Sequence, residues 1–159
     1  VSDLLDPEVK KIIHDMTQTM LDANGIGLAA PQVHINKQIV IFRTLEDSNE
    51  EKEINITALI NPKLNKISDE TDNDWEGCLS IPGMLGLVKR YSKIQYEGFD
   101  MSGNIISRKV EGLHARVVQH EFDHLNGVLY ISRLANKNAF GYSEEIKKFW
   151  KINNDENSE

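Results

Sequence analysis

The segment 113–127, with the sequence LHARVVQHEFDHLNG, constrains the fold more than any other part of the chain. It places Glu121 between His120 and His124 in an H-E-x-x-H pattern. On a helix, residues four apart lie one turn above each other, so two imidazoles can bind one metal ion. Glu121 is about 100° around the helix from His120, within reach of a water molecule on that metal. The pattern predicts a helix that carries a metal site.

The spacing of apolar residues indicates that this helix is buried. One predicted face has the i, i+4, i+7, i+8, i+11 pattern typical of a helix, and it comprises Leu113, Val117, His120, Glu121 and His124. The two histidines therefore continue an apolar stripe. We expect a buried helix with the metal in the protein interior.

A catalytic zinc-type site has three protein ligands, so one more must come from elsewhere. The metzincin extension does not match, because Tyr130 occupies the position of its third histidine. One candidate is a carboxylate, Glu144 or Glu145, as in a gluzincin-like metallopeptidase. The other is Cys78, the only cysteine of the chain, which is predicted to lie between two glycine-containing turns. A thiolate suits a transition metal, and the spacing alone leaves both candidates open.

Composition limits the class of protein. A length of 159 residues predicts a single domain, 1–159, with one core. The net charge of -7, without a basic stripe, argues against direct nucleic-acid binding. The sequence has no run of 18 apolar residues that would predict a membrane span, and no signal-peptide pattern is visible. The single cysteine excludes an internal disulfide and fits a reducing cytoplasm.

Two further helices are predicted near the ends of the chain. Segment 7–24 has Asp6 as its N-cap and Pro7 at its first position. Its apolar stripe comprises Val9, Ile12, Ile13, Met16, Met20 and Leu21. Segment 143–152 is predicted to be amphipathic through Ile146, Phe149 and Trp150. A disordered tail is expected over 153–159.

Strands are predicted between these helices. Their β-branched and aromatic residues place them at 37–45, 56–64, 92–100 and 104–111, the last two as a hairpin. Pro62 indicates an edge or the end of a strand. A charged loop is expected over 46–53, and a solvated turn or ragged strand over 66–74. Strands first and one central helix later indicate an α+β fold.

The segment 25–32, GIGLAAPQ, consists largely of small residues, so its backbone can approach another chain or a ligand closely. It lacks the third glycine of the dinucleotide-binding pattern and the Gly-Lys-Ser/Thr of a P-loop. Two interpretations remain open. The segment is either a tight helix-to-strand connection or a substrate rim in which Gln32 supplies an amide donor.

Three separated segments, GIGLAAPQ, EGCLS and QHEFDHLNG, resemble the motifs of the peptide deformylase family in their order and spacing. The resemblance covers essentially the whole chain. It implies an α+β fold in which antiparallel strands and small sheets wrap around a central H-E-x-x-H helix, with an N-terminal and a C-terminal helix. It further implies a bacterial, cytoplasmic hydrolase that removes the formyl group from N-formylmethionyl nascent peptides near the ribosome and releases formate.

The resemblance also implies roles for individual residues. The positions that match the family's metal ligands are Cys78, His120 and His124. Glu121 matches the general acid/base, and Gln32 and the backbone N–H of Leu79 match the donors to the carbonyl oxygen. The family implies one divalent ion, Fe²⁺ in the cell, with Zn²⁺, Ni²⁺ or Co²⁺ as substitutes.

Substrate contacts follow from the glycine-containing segments, which let a peptide lie alongside as an added strand. We predict that Ile26, Gly27 and Gly77 line the substrate. Helix geometry predicts an apolar pocket near Leu113 and Val117 for the methionine side chain.

Two features depart from the family pattern. Family members usually have a further segment before the position of Val1, which suggests a truncated N-terminus. Leu85 stands where many bacterial members have arginine, so a polar contact to the peptide is expected to be missing. Arg90 matches the family and is expected to pair with Glu76, although an exposed pair would contribute little to stability.

Two alternatives compete with the deformylase interpretation. A gluzincin-like metallopeptidase would use Glu144 or Glu145 as its third ligand. A non-catalytic metal-binding or peptide-binding module would keep the fold without turnover. Glu121 argues against the second alternative, because a pure binder has no need of that carboxylate.

Overall fold

A computed structural model describes residues 1–44 and 55–150. Within these residues the chain is α+β, as predicted, with antiparallel strand pairs. The predicted loop 46–53 and tail 153–159 lie outside the described residues. In chain order the helices and strands are α1 Pro7–Asp22, β1 Gly27–Ala29, β2 Ile39–Thr44, β3 Asn55–Lys66, β4 Thr71–Cys78, β5 Ile81–Tyr91, β6 Lys93–Phe99, β7 Ile105–Glu111, α2 Gly112–Leu125, β8 Phe140–Tyr142 and α3 Ser143–Phe149, with short 3₁₀ helices at Ala30–Val33 and Tyr130–Arg133.

The described chain forms two compact units. The first consists of Val1–Asp72 and Arg90–Leu129, and the second contains Asn73–Lys89 and the segment that begins at Tyr130. None of the described helices is both long enough and apolar enough to span a bilayer. The assignment of 1–159 to one catalytic domain stays a prediction.

The first unit contains a five-stranded sheet in the order β1-β2-β3-β6-β7. Successive side chains of a strand point to opposite faces, so the apolar run of β2 can pack on both sides. Ile39 and Ile41 belong to the core cluster that contains α1, whereas Val40 and Phe42 belong to the cluster that contains α2. The sheet therefore has one helix on each face.

The first helix begins and ends close to the predicted residues. The Asp6 carboxylate accepts a hydrogen bond from the Glu8 N–H at 2.8 Å, which caps the N-terminus. The helix ends at Asp22, and Asn24 has a left-handed φ of 53°. Including Leu21 in the apolar stripe was wrong, because this side chain is 37% exposed, whereas the neighbouring Met20 is fully buried.

The position of Pro62 corrects the expectation of an edge strand. β3 lies in the middle of the sheet, between β2 and β6. Its register with β6 shifts between Ile60 and Lys63, and Asn61 has a φ of 51°. Proline has no N–H to donate to a ladder, and a bulge accommodates it inside a central strand.

The hairpin of β6 and β7 confirms its prediction. The two strands pair from Lys93–Glu111 to Phe99–Ile105, and Ile94 and Tyr96 are buried on one side. In the segment 66–74, expected to be a turn or ragged strand, β4 begins at Thr71.

The second unit contains strands of a three-stranded sheet in the order β4-β5-β8. The strand β5 was not predicted, because Pro82, Gly83 and Gly86 interrupt its apolar pattern. α3 ends at Phe149, and within it Ile146 is buried. The predicted amphipathic face is narrower than expected, since Phe149 and Trp150 are exposed, although the Trp150 ring lies 5.6 Å from that of Trp75.

Candidate metal centre

The metal-site helix predicted over 113–127 is α2, Gly112–Leu125. Gly112 enters it with a φ of 62°, a conformation that glycine adopts without strain. At its end the Asp123 carbonyl accepts hydrogen bonds of 2.9 Å from the N–H groups of Asn126 and Val128. Gly127 then turns the chain with a φ of 71°. The predicted start and stop are thus confirmed to within a few residues.

Burial on α2 differs from the predicted stripe at its first turn. Val117 is buried, whereas Leu113, one turn earlier, is 58% exposed. The sheet packs against α2 through the His114 ring, which lies 5.7 Å from that of Phe42, and through the core cluster that includes Val117 and Val118. Leu113 was therefore wrongly placed on the buried face.

His120 and His124 lie one turn apart, as the pattern predicts. Their ring centroids are 5.0 Å apart. His124 is buried and His120 is half-buried. Both imidazoles can therefore be directed to one site without full exposure to water.

Cys78 is the last residue of β4, so the prediction that it lies between two turns was wrong. Gly77 also lies inside this strand and not in a turn. The Cys78 Sγ accepts a hydrogen bond of 3.4 Å from the Ser80 N–H. A donor directed at sulfur favours the thiolate, which is the form that binds metals.

Cys78, His120 and His124 each offer one ligand atom, and these atoms lie within 4.8 Å of one another. One sulfur and two imidazole nitrogens form a donor set suited to a divalent transition metal, with bond lengths of about 2.0–2.3 Å. Among the described residues, this is the one group of three such side chains close enough to share an ion. Glu144 and Glu145 instead lie exposed in the first turn of α3.

Glu121 is buried, at 4% exposure, on α2 between the two histidines. On the sheet side its carboxylate lies against the backbone of Gly27 in β1. A carboxylate here is next to the histidine pair and shielded from bulk water. This arrangement suits a group that exchanges protons with a reacting molecule.

The segment 25–32 is a helix-to-strand connection that itself contains β1 and a 3₁₀ helix. Gln32 lies in that 3₁₀ helix, and its Oε1 accepts a hydrogen bond of 2.9 Å from the Ala29 N–H. This bond orients the carboxamide by its oxygen end, so the NH₂ end is the donor to other groups. The substrate-rim role of the segment stays a prediction.

A buried polar stripe on α2, which was not predicted, fixes the helix beside its neighbours. It comprises Arg116, Gln119 and Asp123, at the i, i+3, i+7 spacing of one helical face. The Gln119 Nε2 donates to the Tyr91 carbonyl at 2.8 Å, and its Oε1 accepts from the Tyr91 N–H at 3.1 Å. Arg116 forms an ion pair with Asp72. The sequence does contain a signal for this stripe. Its polar residues recur at helical spacing within a segment that is predicted to be buried.

Arg90 is buried, so its ion pair with Asp123 is not an exposed one. Its Nη1 lies 2.5 Å from the Asp123 Oδ2, and both side chains are within the protein interior. A buried guanidinium requires a buried anion, and Asp123 supplies one. Glu76 is also buried, and its pairing with Arg90 stays a prediction.

Tyr130 lies at the start of the second unit's later segment and is buried. Burial, followed by the negative charges of Cys78 and Glu76, raises the pKa of Tyr130 to about 12. The phenol therefore remains protonated at neutral pH.

The model of the polypeptide deformylase family matches residues 1–140 of the chain. The chain belongs to this family. Two curated relatives are peptide deformylase 1 of Nitrosomonas europaea, 47% identical, and peptide deformylase 1 of Bordetella pertussis, 48% identical. Each alignment spans 142 residues, 88% of this chain and 81% of the relative.

Solved peptide deformylases have the same fold. The enzyme from Synechococcus elongatus has a TM-score of 0.78 at 40% identity, over 93% of this chain and 77% of that one. The enzyme from Thermotoga maritima has a TM-score of 0.76 at 38% identity, over 86% of both chains. The fold class predicted from the resemblance is confirmed.

Membership of the deformylase family gives the activity. The chain is an enzyme that removes the N-formyl group from N-formylmethionyl nascent peptides. The gluzincin-like alternative is not favoured by these relatives or by the positions of Glu144 and Glu145. The family is one of metalloenzymes, and Cys78, His120 and His124 form the possible metal site.

The Arg90–Asp123 pair gives a prediction for stability. Arg90→Leu should lower the free energy of unfolding by about 3–5 kcal/mol, because it leaves the Asp123 carboxylate buried without its guanidinium. The matched control is Lys93→Ala, which breaks the exposed Lys93–Glu111 pair and should cost about 1 kcal/mol or less. Urea denaturation of both variants measures the difference. Equal losses would contradict the assignment of Arg90 to a buried pair.

Proposed function

We propose that this deformylase holds one divalent metal ion through Cys78, His120 and His124 and uses Glu121 as its general acid and base. The observation that carries the proposal is the approach of one sulfur and two imidazole nitrogens to within 4.8 Å. The three residues are separated along the chain, and binding of a shared cation would explain why their side chains lie close together.

The charge of the donor set supports a hydrolytic site. Two neutral imidazoles and one thiolate around a divalent ion leave a net charge of about +1. We propose Fe²⁺ as the ion in the cell, with Zn²⁺, Ni²⁺ or Co²⁺ as substitutes. One sulfur with two nitrogens is compatible with each of these borderline metals.

When bound, the cation supplies a Lewis acid that makes water nucleophilic near neutral pH. Glu121 accepts the proton of the attacking water as oxygen bonds to the formyl carbon. It then delivers that proton to the amine nitrogen as the C–N bond breaks. The products are formic acid and the free amino terminus of the peptide. Formic acid ionises to formate and the amino group takes up that proton, so atoms and charge balance.

Two donors are proposed for the formyl oxygen, which gains negative charge during attack. They are the Gln32 carboxamide and the backbone N–H of Leu79. The bond from the Ala29 N–H to Gln32 supports this role, because it fixes the carboxamide by its oxygen end. One such preorganised donor typically contributes about 3 kcal/mol to transition-state stabilisation.

The substrate is proposed to bind as an extended strand lined by Ile26, Gly27 and Gly77. β1 is at one end of the strand order in its sheet, and an edge strand offers backbone groups for pairing. Ile26 is exposed beside it and can contact a peptide. The methionine side chain is proposed to bind near Val117 and the exposed Leu113.

The proposed setting is the cytoplasm of a bacterium, with the single catalytic domain acting on peptides as they leave the ribosome. The bacterial relatives support the organism class. The lone Cys78 thiol supports a reducing compartment, because thiolate ligands are lost on oxidation.

Anaerobic purification, elemental analysis and a formate-release assay test the proposal together. Protein loaded with Fe²⁺ should contain one ion per chain and release formate from an N-formylmethionyl peptide. The matched N-acetylmethionyl peptide should release no formate and controls for the assay. Metal-free protein with the activity of the loaded protein would contradict the proposed metal centre.

A further inference from the structure

Gly27 is the first residue of β1 and pairs directly with Phe42 of β2. Residues directly opposite each other in antiparallel strands point to the same side of the sheet. Phe42 belongs to the core cluster that contains Ala115 and Val118 of α2. Gly27 therefore faces α2, the helix that carries Glu121.

The Glu121 side chain occupies the space that a side chain at position 27 would need. A Cβ on Gly27 would lie 2.7 Å from the Glu121 Cδ and 2.8 Å from its Cγ, and nearer still to Oε1. Carbon atoms in favourable contact are about 3.5–4.0 Å apart. The backbone of Gly27 does not have a positive φ, so alanine could adopt its conformation. Glycine is required here because there is no room for a side chain, and not because the backbone conformation demands it.

We infer that Gly27 is a positioning residue for the Glu121 carboxylate, which rests on the proposed role of Glu121 as acid and base. The backbone of β1 lies against the carboxylate. Because Gly27 has no side chain, this backbone can come close to it. This role differs from the substrate contact proposed above for Gly27. The two roles predict different kinetic consequences for the same substitution.

The three atoms that a methyl group would approach most closely all belong to the Glu121 side chain. A methyl group at position 27 should therefore displace the carboxylate while leaving the strand in place. Misplacement of a catalytic group by about 1 Å can reduce the rate about 100-fold. The N–H and C=O of β1 would remain available to a peptide, so substrate binding should change little.

Steady-state kinetics of Gly27→Ala, loaded with Fe²⁺, test this inference. We expect kcat to fall about 100-fold, with KM and metal content close to those of the parent. The matched control is Gly98→Ala, whose Cβ would lie 2.7 Å from the Leu59 Cγ and 3.0 Å from the Ile60 carbonyl oxygen. It should lower Tm yet leave the kcat of the folded protein unchanged. A raised KM with an unchanged kcat in Gly27→Ala would overturn the inference in favour of a substrate contact.

A thermal-unfolding cycle gives a readout that does not depend on turnover. Gly27→Ala should lower the Tm of the metal-loaded protein, but it should not lower the Tm of Glu121→Ala, where the opposing atoms are gone. Equal decreases in both backgrounds would overturn the inference. If the single variant fails to fold, folding of the double variant supports the inference, and its failure to fold contradicts it. Parent-like turnover by Glu121→Ala would refute the proposed function, while the cycle would still test the close approach.

Discussion

Replacement of Glu121 by glutamine should reduce kcat about 1,000-fold and leave the metal bound. The substitution keeps the shape of the side chain but removes its ability to accept and return a proton, a contribution typically worth between about 10²- and 10⁴-fold. Glu121 is not one of the three grouped ligand residues, so metal content should stay at one ion per chain. Formate release and elemental analysis on the same sample measure both quantities.

Glu111→Gln is the matched control for this variant. Glu111 is the residue before α2 and is exposed, and its ion pair with Lys93 is at the surface. Removal of its charge changes the electrostatics of the same helix without touching the proposed site. It should keep the parent rate. If Glu121→Gln releases formate as fast as Glu111→Gln, the proton transfer must be assigned to another group.

Replacement of Cys78 by alanine should weaken metal binding by at least about 100-fold, because loss of a residue that only supports a ligand already costs about 10- to 100-fold. The remaining His120 and His124 would form an incomplete site. Turnover should fall with occupancy and recover in part when excess metal is added. Titration of metal-free protein with Co²⁺ should also show loss of the absorption that a cobalt–thiolate bond produces.

The double variant Glu144→Ala/Glu145→Ala is the corresponding control for Cys78→Ala. A gluzincin-like site would lose its metal in this variant and keep it in Cys78→Ala. The proposed centre requires the opposite result. Full metal content and activity in Cys78→Ala would refute the role of this thiolate.

Several predictions succeeded because they depended on local chemistry. The cap at Asp6, the start of α1 at Pro7 and the hairpin of β6 and β7 all follow from side chains close together in the chain. The relation of His120 to His124 is of the same kind, since the geometry of one helical turn fixes it. Local sequence patterns are sufficient to predict such features, because few other local conformations are compatible with the same residues.

Other features required contacts between distant residues. The exposure of Leu113 depends on which side chains of α2 the sheet covers, and the helical pattern of the sequence does not contain this information. Pro62 lies in a central strand because a bulge there removes the need for its N–H. The burial of Arg90 depends on Asp123, 33 residues later, which sequence spacing does not link to it.

The sequence by itself determined the helix, the histidine pair, the family resemblance and the small residues of segment 25–32. Tertiary structure decided that the Cys78 sulfur lies within 4.8 Å of a nitrogen of each imidazole, and that the Gly27 backbone lies next to the Glu121 carboxylate. The physical reason is the range of the interactions. Hydrogen bonds and periodicity within an element act over a few residues, whereas the approach of a strand to a helix depends on how the whole core packs.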